Sequence, residues 1–194
     1  MNQTSIDKAK KLIEAYYEQS MQIAPDVPKQ MIMGDWEQDG WNQWKLIPSV
    51  LNSKDIASLE EKLPYKLPEF YKAYLLSYCV LEMDFGKYRL STIRPDRPLE
   101  SVKFNLFWET LSEEHLWKQG FAPFASNDHG DPVCFDILSK EHENDYPIYV
   151  INHDGSEINS GREVILKESL RVSDSFEAFF AELCENFGSE LEYY

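Results

Sequence analysis

Cysteine is scarce in this sequence. Cys79, Cys134 and Cys184 are odd in number and far apart, and no CxxC pair occurs, so neither a disulfide framework nor a Cys-based zinc site is indicated. That usage suits a reducing compartment. Long apolar runs are missing too. None approaches the ~20 residues that a membrane helix needs. The first twenty residues, MNQTSIDKAKKLIEAYYEQS, carry charge throughout and lack the apolar stretch of a signal peptide. A cytoplasmic location is therefore expected. Signatures of catalysis are absent as well: there is no GxSxG elbow, no P-loop, no HExxH and no HxH. Internal repeats and low-complexity tracts are also missing.

Positive charge is lacking in one place above all. Residues 126–194 hold 16 acidic and 4 basic side chains, against 8 and 8 in residues 63–125 and 10 and 7 in residues 1–62. The formal net charge is −15, and most of it lies in the last third. Such a field repels nucleic acid and anionic membrane, and it speeds encounter with a basic protein surface. Solubility is the general use of acidity; its concentration in one segment points beyond that use. The chain is nevertheless 43% hydrophobic and 14% aromatic, which supports a packed core rather than disorder. Its 194 residues favour a single domain with an extra element at one end.

Periodicity predicts a helix over residues 5–20, capped by Thr4 or Ser5, with Ile6, Ala9, Leu12, Ile13 and Tyr16 on its inner face. Residues 21–50, with three prolines, two glycines and Trp36, Trp41 and Trp44, read as an irregular segment pinned to the body by aromatic burial. A partner-contacting patch is the second reading of those tryptophans. Ser53 is the expected cap of a short helix over 54–62. Pro68 opens another through 79, with Phe70, Tyr71, Tyr74, Leu75 and Tyr78 buried. A strand is expected near 85–93, residues 98–120 are ambiguous, and Gly120 closes a helix end. Residues 121–126, 132–138 and 146–154 read as strands, the first two joined by the turn NDHGD. Residues 162–173 read as a fourth strand with its connection. The last helix, 173–187, is expected to start at an Asp174/Glu177 capping box and to bury Phe176, Phe179, Phe180, Leu183 and Phe187. The whole is an α+β arrangement.

The chemistry-bearing residues are sparse. His129 lies in NDHGD between Asp128 and Asp131, and His153 precedes Asp154. Asn, Asp and Gly bond their own backbone in turns, so turn chemistry accounts for these groups better than a metal or acid–base site does. His115 and His142 read as surface residues. Cys134 and Cys184 read as small core hydrophobes, although a Cys134 thiol near His129 or His153 would be the ingredient of a hydrolase.

Four stretches, in order, carry a family resemblance: LPYKLPEFYKAYL (63–75), FAPFASNDHGDPVCFDI (121–137), YPIYVINHD (146–154) and SFEAFFAEL (175–183). Together they resemble the SUKH superfamily, which groups bacterial immunity proteins with a fungal cell-wall-synthesis regulator. The resemblance spans about residues 53–187. It departs after the first helix, where SYCVLEM replaces the usual Asn-Gly-Gly-type turn, and it leaves out the first ~50 residues. It implies a mixed, largely antiparallel sheet flanked by helices over 53–194; residues 1–52, outside the resemblance, are expected from their own aromatic burial to form an extension packed on that body.

The resemblance implies no catalytic residues, no metal and no cofactor. The implied function is to neutralise a cognate toxin, often a nuclease, by direct binding. The alternatives are an adaptor or regulator of an endogenous partner and, third, a hydrolase built on His129, Asp131, Cys134 and His153. The implied partner is a basic protein domain, with neither nucleic acid nor membrane. The expected contact residues are Asp128, Asp131, Asp154 and Glu157, because turns project side chains from a rigid sheet.

Overall fold

The computed structural model describes residues 2–107, 115–139, 141, 144–152 and 161–187. Helix α1 (Gln3–Gln19) buries Ala9, Ile13 and Tyr16, with Ile6 and Leu12 half-buried beside them. Its cap is Asn2, two residues before Thr4 and three before Ser5: the extended Asn2 backbone lets Oδ1 accept from Thr4 N at 3.1 Å.

The segment after α1 overturns the expectation of irregular structure. It forms a three-stranded antiparallel sheet of β1 (Ile23–Pro25), β2 (Ile32–Gln38) and β3 (Trp41–Trp44), in the order β1-β3-β2. Asp39 and Gly40 both take positive φ, 53° and 82°. They form the two-residue loop between the paired Gln38 and Trp41, the hairpin turn whose twist matches its strands. The three tryptophans divide. Trp44 is 1% exposed, whereas Trp36 and Trp41 are 39% and 46% exposed, so aromatic burial pins the segment at one indole only.

Strand β4 (Ile47–Pro48) leads to α2 (Ser53–Glu60). Asn52, not Ser53, caps α2, in a reciprocal box with Asp55. Helix α3 (Glu69–Leu75) follows Pro68 and buries Phe70, Tyr71, Tyr74 and Leu75. It stops short of the expected 79 because Tyr78–Cys79 form β5, paired with β4. That leaves Tyr78 off the buried stripe, half-exposed and donating to Glu14 at 2.5 Å. The ambiguous stretch after β6 (Tyr88–Leu90) contains α4 (Glu100–Phe107) and a 3-10 turn, Trp117–Gln119, ended by Gly120 at φ 86°.

Strands β7 (Phe121–Asn127), β8 (Pro132–Asp136) and β9 (Ile148–Val150) follow. Residues 162–173 begin as a helix, α5 (Arg162–Glu168), and only then form β10 (Leu170–Ser173). REVILKE consists mostly of good helix formers, and it buries a single residue, Ile165, where a central strand would bury several. Helix α6 (Phe176–Asn186) buries Phe176, Phe179, Phe180 and Cys184; Leu183 and Phe187 pack at its margin. Its cap is Ser175, whose Oγ accepts from Ala178 N. Asp174 instead pairs with Arg171 at 2.8 Å.

The larger sheet has five strands in the order β10-β9-β8-β7-β6, every pair antiparallel. The fold is α+β. Both faces of the sheet are covered, which explains the unbroken apolar runs of β7 and β8. On one face Phe124 and Phe135 stack at 4.1 Å, and Tyr71 and Phe176 meet both rings edge-on. Leu116, Phe121, Cys134, Ile151 and Ile165 of α5 make a separate cluster, on the opposite face by strand alternation.

Two buried polar contacts fix this body. Arg162 Nη2 donates to both oxygens of Asp136 at 2.7 Å, and Nη1 donates to Gln119 O at 3.0 Å, tying α5 to β8. The β7–β8 pairing shifts register between Pro123 and Ala125. There Asn105 of α4 donates to Phe124 O at 3.2 Å and to Ser91 Oγ at 2.9 Å.

Candidate binding surface

The β7–β8 turn is built around Asn127. Its Oδ1 accepts from His129 N at 3.0 Å and from Asp131 N at 2.7 Å. Gly130, at φ 85°, lets the chain reverse so that Asn127 N reaches Asp131 O at 2.9 Å. This is the turn chemistry expected of Asn, Asp and Gly. The turn also docks sideways, because Asp128 N donates to Lys87 O at 3.0 Å. A rigid platform results, and its carboxylates differ. The Asp128 side chain is 49% exposed. Asp131 is half-buried, and its Oδ2 accepts from Asn127 Nδ2 at 3.0 Å, so it holds the turn as well as charging it. The His129 side chain is 81% exposed, 3.9 Å from Asp128.

Asp128 and Asp131 are thus brought together. Asp154, Glu157, His153 and His142 lie outside the described residues. The last described residue before Asp154 in the chain is Asn152. It follows Ile151, whose N–H donates to Pro132 O at 3.1 Å, so the register of β8 and β9 sets Asn152 opposite Asp131.

The groups of a hydrolase are not assembled among the described residues. Cys134 is fully buried, and burial pushes its thiol well above the ordinary range; a thiolate nucleophile needs the reverse. His129 stands in solvent on the turn. His115 is half-buried. A cleft of about 450 Å³ lies between the starts of α2 and α4, lined by Val50, Leu51, Asp55, Arg97, Leu99 and Lys103 among others. It holds no histidine, cysteine or hydroxyl nucleophile.

Sequence reasoning placed the contact surface only in the last third and gave the tryptophan segment second rank. The structure adds that segment as a second exposed feature. Residues 33–41 are exposed without a break, and they include Met33, Trp36 and Trp41. The signal that reveals it as a hairpin is Asp39-Gly40 between two strand-like runs.

A family model, described as the SMI1 / KNR4 family (SUKH-1), matches residues 51–182. The chain belongs to that family. No curated protein matches it. The SUKH-1 match takes in α2 through most of α6, the asparagine-built turn and both faces of the five-stranded sheet; α1 and the tryptophan hairpin precede it. The residues that carry the SUKH-1 resemblance are chiefly core: Phe70, Tyr71, Phe124, Phe135, Phe176 and Phe180 are all 3% exposed or less. Asp136 of the CFD stretch is 4% exposed and serves Arg162 rather than a ligand. The matched motif therefore specifies the scaffold. No helix of the described residues is long and apolar enough to cross a membrane.

Proposed function

We propose that the chain is an immunity protein that neutralises a basic toxin domain by covering its working surface, without catalysis. Membership of the SUKH-1 family over residues 51–182 carries this reading. The charge distribution gives it a mechanism. A toxin that acts on nucleic acid presents a basic groove, and an acidic last third is attracted into such a groove. Asp128 and Asp131, with Asp154 and Glu157 farther along the chain, are the proposed contacts. The asparagine-built turn holds the first two in place before binding, so little ordering cost opposes association. A regulator of an endogenous partner, the other function implied by the family, would use the same kind of contact. A toxin gene beside this one favours immunity over regulation.

Stopped-flow association with the purified neighbouring toxin domain tests the reading. Association should slow as salt rises toward ~0.5 M, where screening acts within a few Å. Asp128→Lys combined with Glu157→Lys should slow it further and remove protection from cells carrying the toxin. Asp131→Asn is the appropriate change at position 131, because it keeps an acceptor for Asn127. A folded, reversed protein that protects as well as the parent rules out this surface.

A further inference from the structure

We infer that the β2–β3 hairpin is a docking arm for a basic protein, with Trp36 and Trp41 as its anchors. The inference rests on the proposed function only for the identity of that protein. Its first support is exposure. Between Met33 and Trp41 no residue is buried, yet this stretch carries two indoles and a thioether. Among the described residues, four of the nine exposed large hydrophobic ones, Met21, Met33, Trp36 and Trp41, fall between residues 21 and 41. Clustered exposed apolar side chains mark interaction sites, and tryptophan is the residue type most enriched among energetically dominant contacts.

The arm is also preorganised. At its base Trp44 and Met31 are buried, the Tyr17 hydroxyl donates to Trp44 O at 2.6 Å, and Arg94 donates to Asp26 O at 2.7 Å. At its tip Asp39 and Gly40 form the tight turn. Between them β2 bows out, with five steps from Ile32 to Glu37 set against two from Trp44 to Asn42, and Gly34 supplies φ 71°. The bow carries Met33, Asp35 and Trp36. It also breaks the regular edge that would invite strand pairing.

Charge selects the occupant. Asp35, Glu37 and Asp39 are interleaved with the indoles, and residues 32–44 contain no lysine or arginine. None of the three carboxylates has an ion-pair partner among the described residues. A second copy of a chain at −15 is repelled, as are nucleic acid and anionic lipid. A basic protein with an apolar recess fits. The arm and the acidic turn can meet one partner, since both are tied to the C-terminal half of α1. Tyr17 holds Trp44, Tyr16 donates to Asp84 O at 3.1 Å, and that loop's Lys87 O receives Asp128 N. The family match begins at residue 51, so the arm is an addition to the matched scaffold.

Photocrosslinking tests this, with p-benzoylphenylalanine at position 41 of the full chain in the source cell and, as control, at position 164 on α5, across the sheet. Position 41 should give an adduct with one basic protein that position 164 does not give. That protein, purified, should bind the parent and lose roughly 30-fold or more in affinity for the Trp36→Ala/Trp41→Ala variant, whose unfolding midpoint is unchanged. No adduct at position 41, an adduct with a second copy or with an acidic protein, or equal binding by the double variant overturns the arm. The two proposals fail separately. A captured basic protein that is harmless to cells removes the immunity reading and leaves the arm; a toxin neutralised equally by parent and double variant does the opposite.

Discussion

The aromatic residues of the body and those of the arm obey different rules. In the body, Phe176 has the rings of Phe70, Tyr71, Tyr74, Phe124, Phe135 and Phe180 around it, and it is fully buried. Its sequence neighbours repeat at helical spacing, so its burial is written in the pattern. In the arm, Trp36 and Trp41 follow no such period and remain in solvent. Large aromatics with a period are scaffold; of the three tryptophans without one, Trp44 is buried at the hairpin's base, and Trp36 and Trp41 stay exposed. The difference separates what makes the fold from what we infer makes contact.

The sharpest way to break this comparison is to truncate one ring from each side. Phe176→Ala should cost about 3–5 kcal/mol, because it leaves a cavity in a ring cluster. Trp36→Ala and Trp41→Ala should each stay within about 0.5 kcal/mol of the parent, as surface changes do. Urea unfolding measures all three. An arm variant that loses as much as Phe176→Ala would mean the indoles are structural, and the contrast would collapse.

The buried charges sharpen the same contrast, since the body pairs Asp136 with Arg162 and the arm leaves Asp35, Glu37 and Asp39 without ion-pair partners among the described residues. Asp136→Ala removes the carboxylate clamped by Arg162 and should cost about 2–3 kcal/mol. Asp136→Leu with Arg162→Met should recover part of that loss, because an apolar pair of similar volume avoids the cost of buried charge. Asn105→Ala strips Phe124 O and Ser91 Oγ of a shared donor and should cost about 1–2 kcal/mol. Hydrogen exchange at β7 would show whether that loss is local to the register shift.

Much of the body was legible because packing and periodicity agree there. The strands expected at 121–126 and 132–138, observed as Phe121–Asn127 and Pro132–Asp136, their NDHGD turn and the Phe176–Phe180 stripe are readable from residue type and spacing. The misreadings have particular causes. Asn52 stands beside Ser53 and Asp174 beside Ser175, and only backbone geometry chooses the cap among such neighbours, Asn52 and Ser175 in this fold. Residues 162–168 carry Val164, Ile165 and Leu166 in a row, which suggests a strand, but the Arg, Glu and Lys around them favour a helix, and only Ile165 is buried. In residues 21–50 the three prolines and Gly34 mask the hairpin signal of Asp39-Gly40. Of the candidate site, the pair Asp128 and Asp131 could be read as turn residues. That Asp131 also braces Asn127 depends on side-chain geometry that no spacing encodes.

The smallest expected effect tests whether the body's fixed polar groups always stabilise it. Asp145 precedes β9, and its Oδ1 accepts from Phe176 N at 3.0 Å and from Tyr146 N at 2.8 Å. It lies at the N-terminus of α6, a position that normally holds a carboxyl down. Burial pushes this carboxyl up, against the pull of those amides. The folded state then takes up its proton at a higher pH than the unfolded chain does, for which a value near 3.9 is usual. Between the unfolded value and the raised folded value, the folded state binds more protons, so this group's contribution falls as pH rises through the window. Asp145→Asn keeps an acceptor for both amides and cannot titrate. Its stability relative to the parent should therefore improve between pH 3 and pH 7, measured by urea unfolding at each pH. A decline over the same range would mean that the amides and the helix terminus outweigh burial, and that Asp145 is an ordinary stabilising carboxylate of the body.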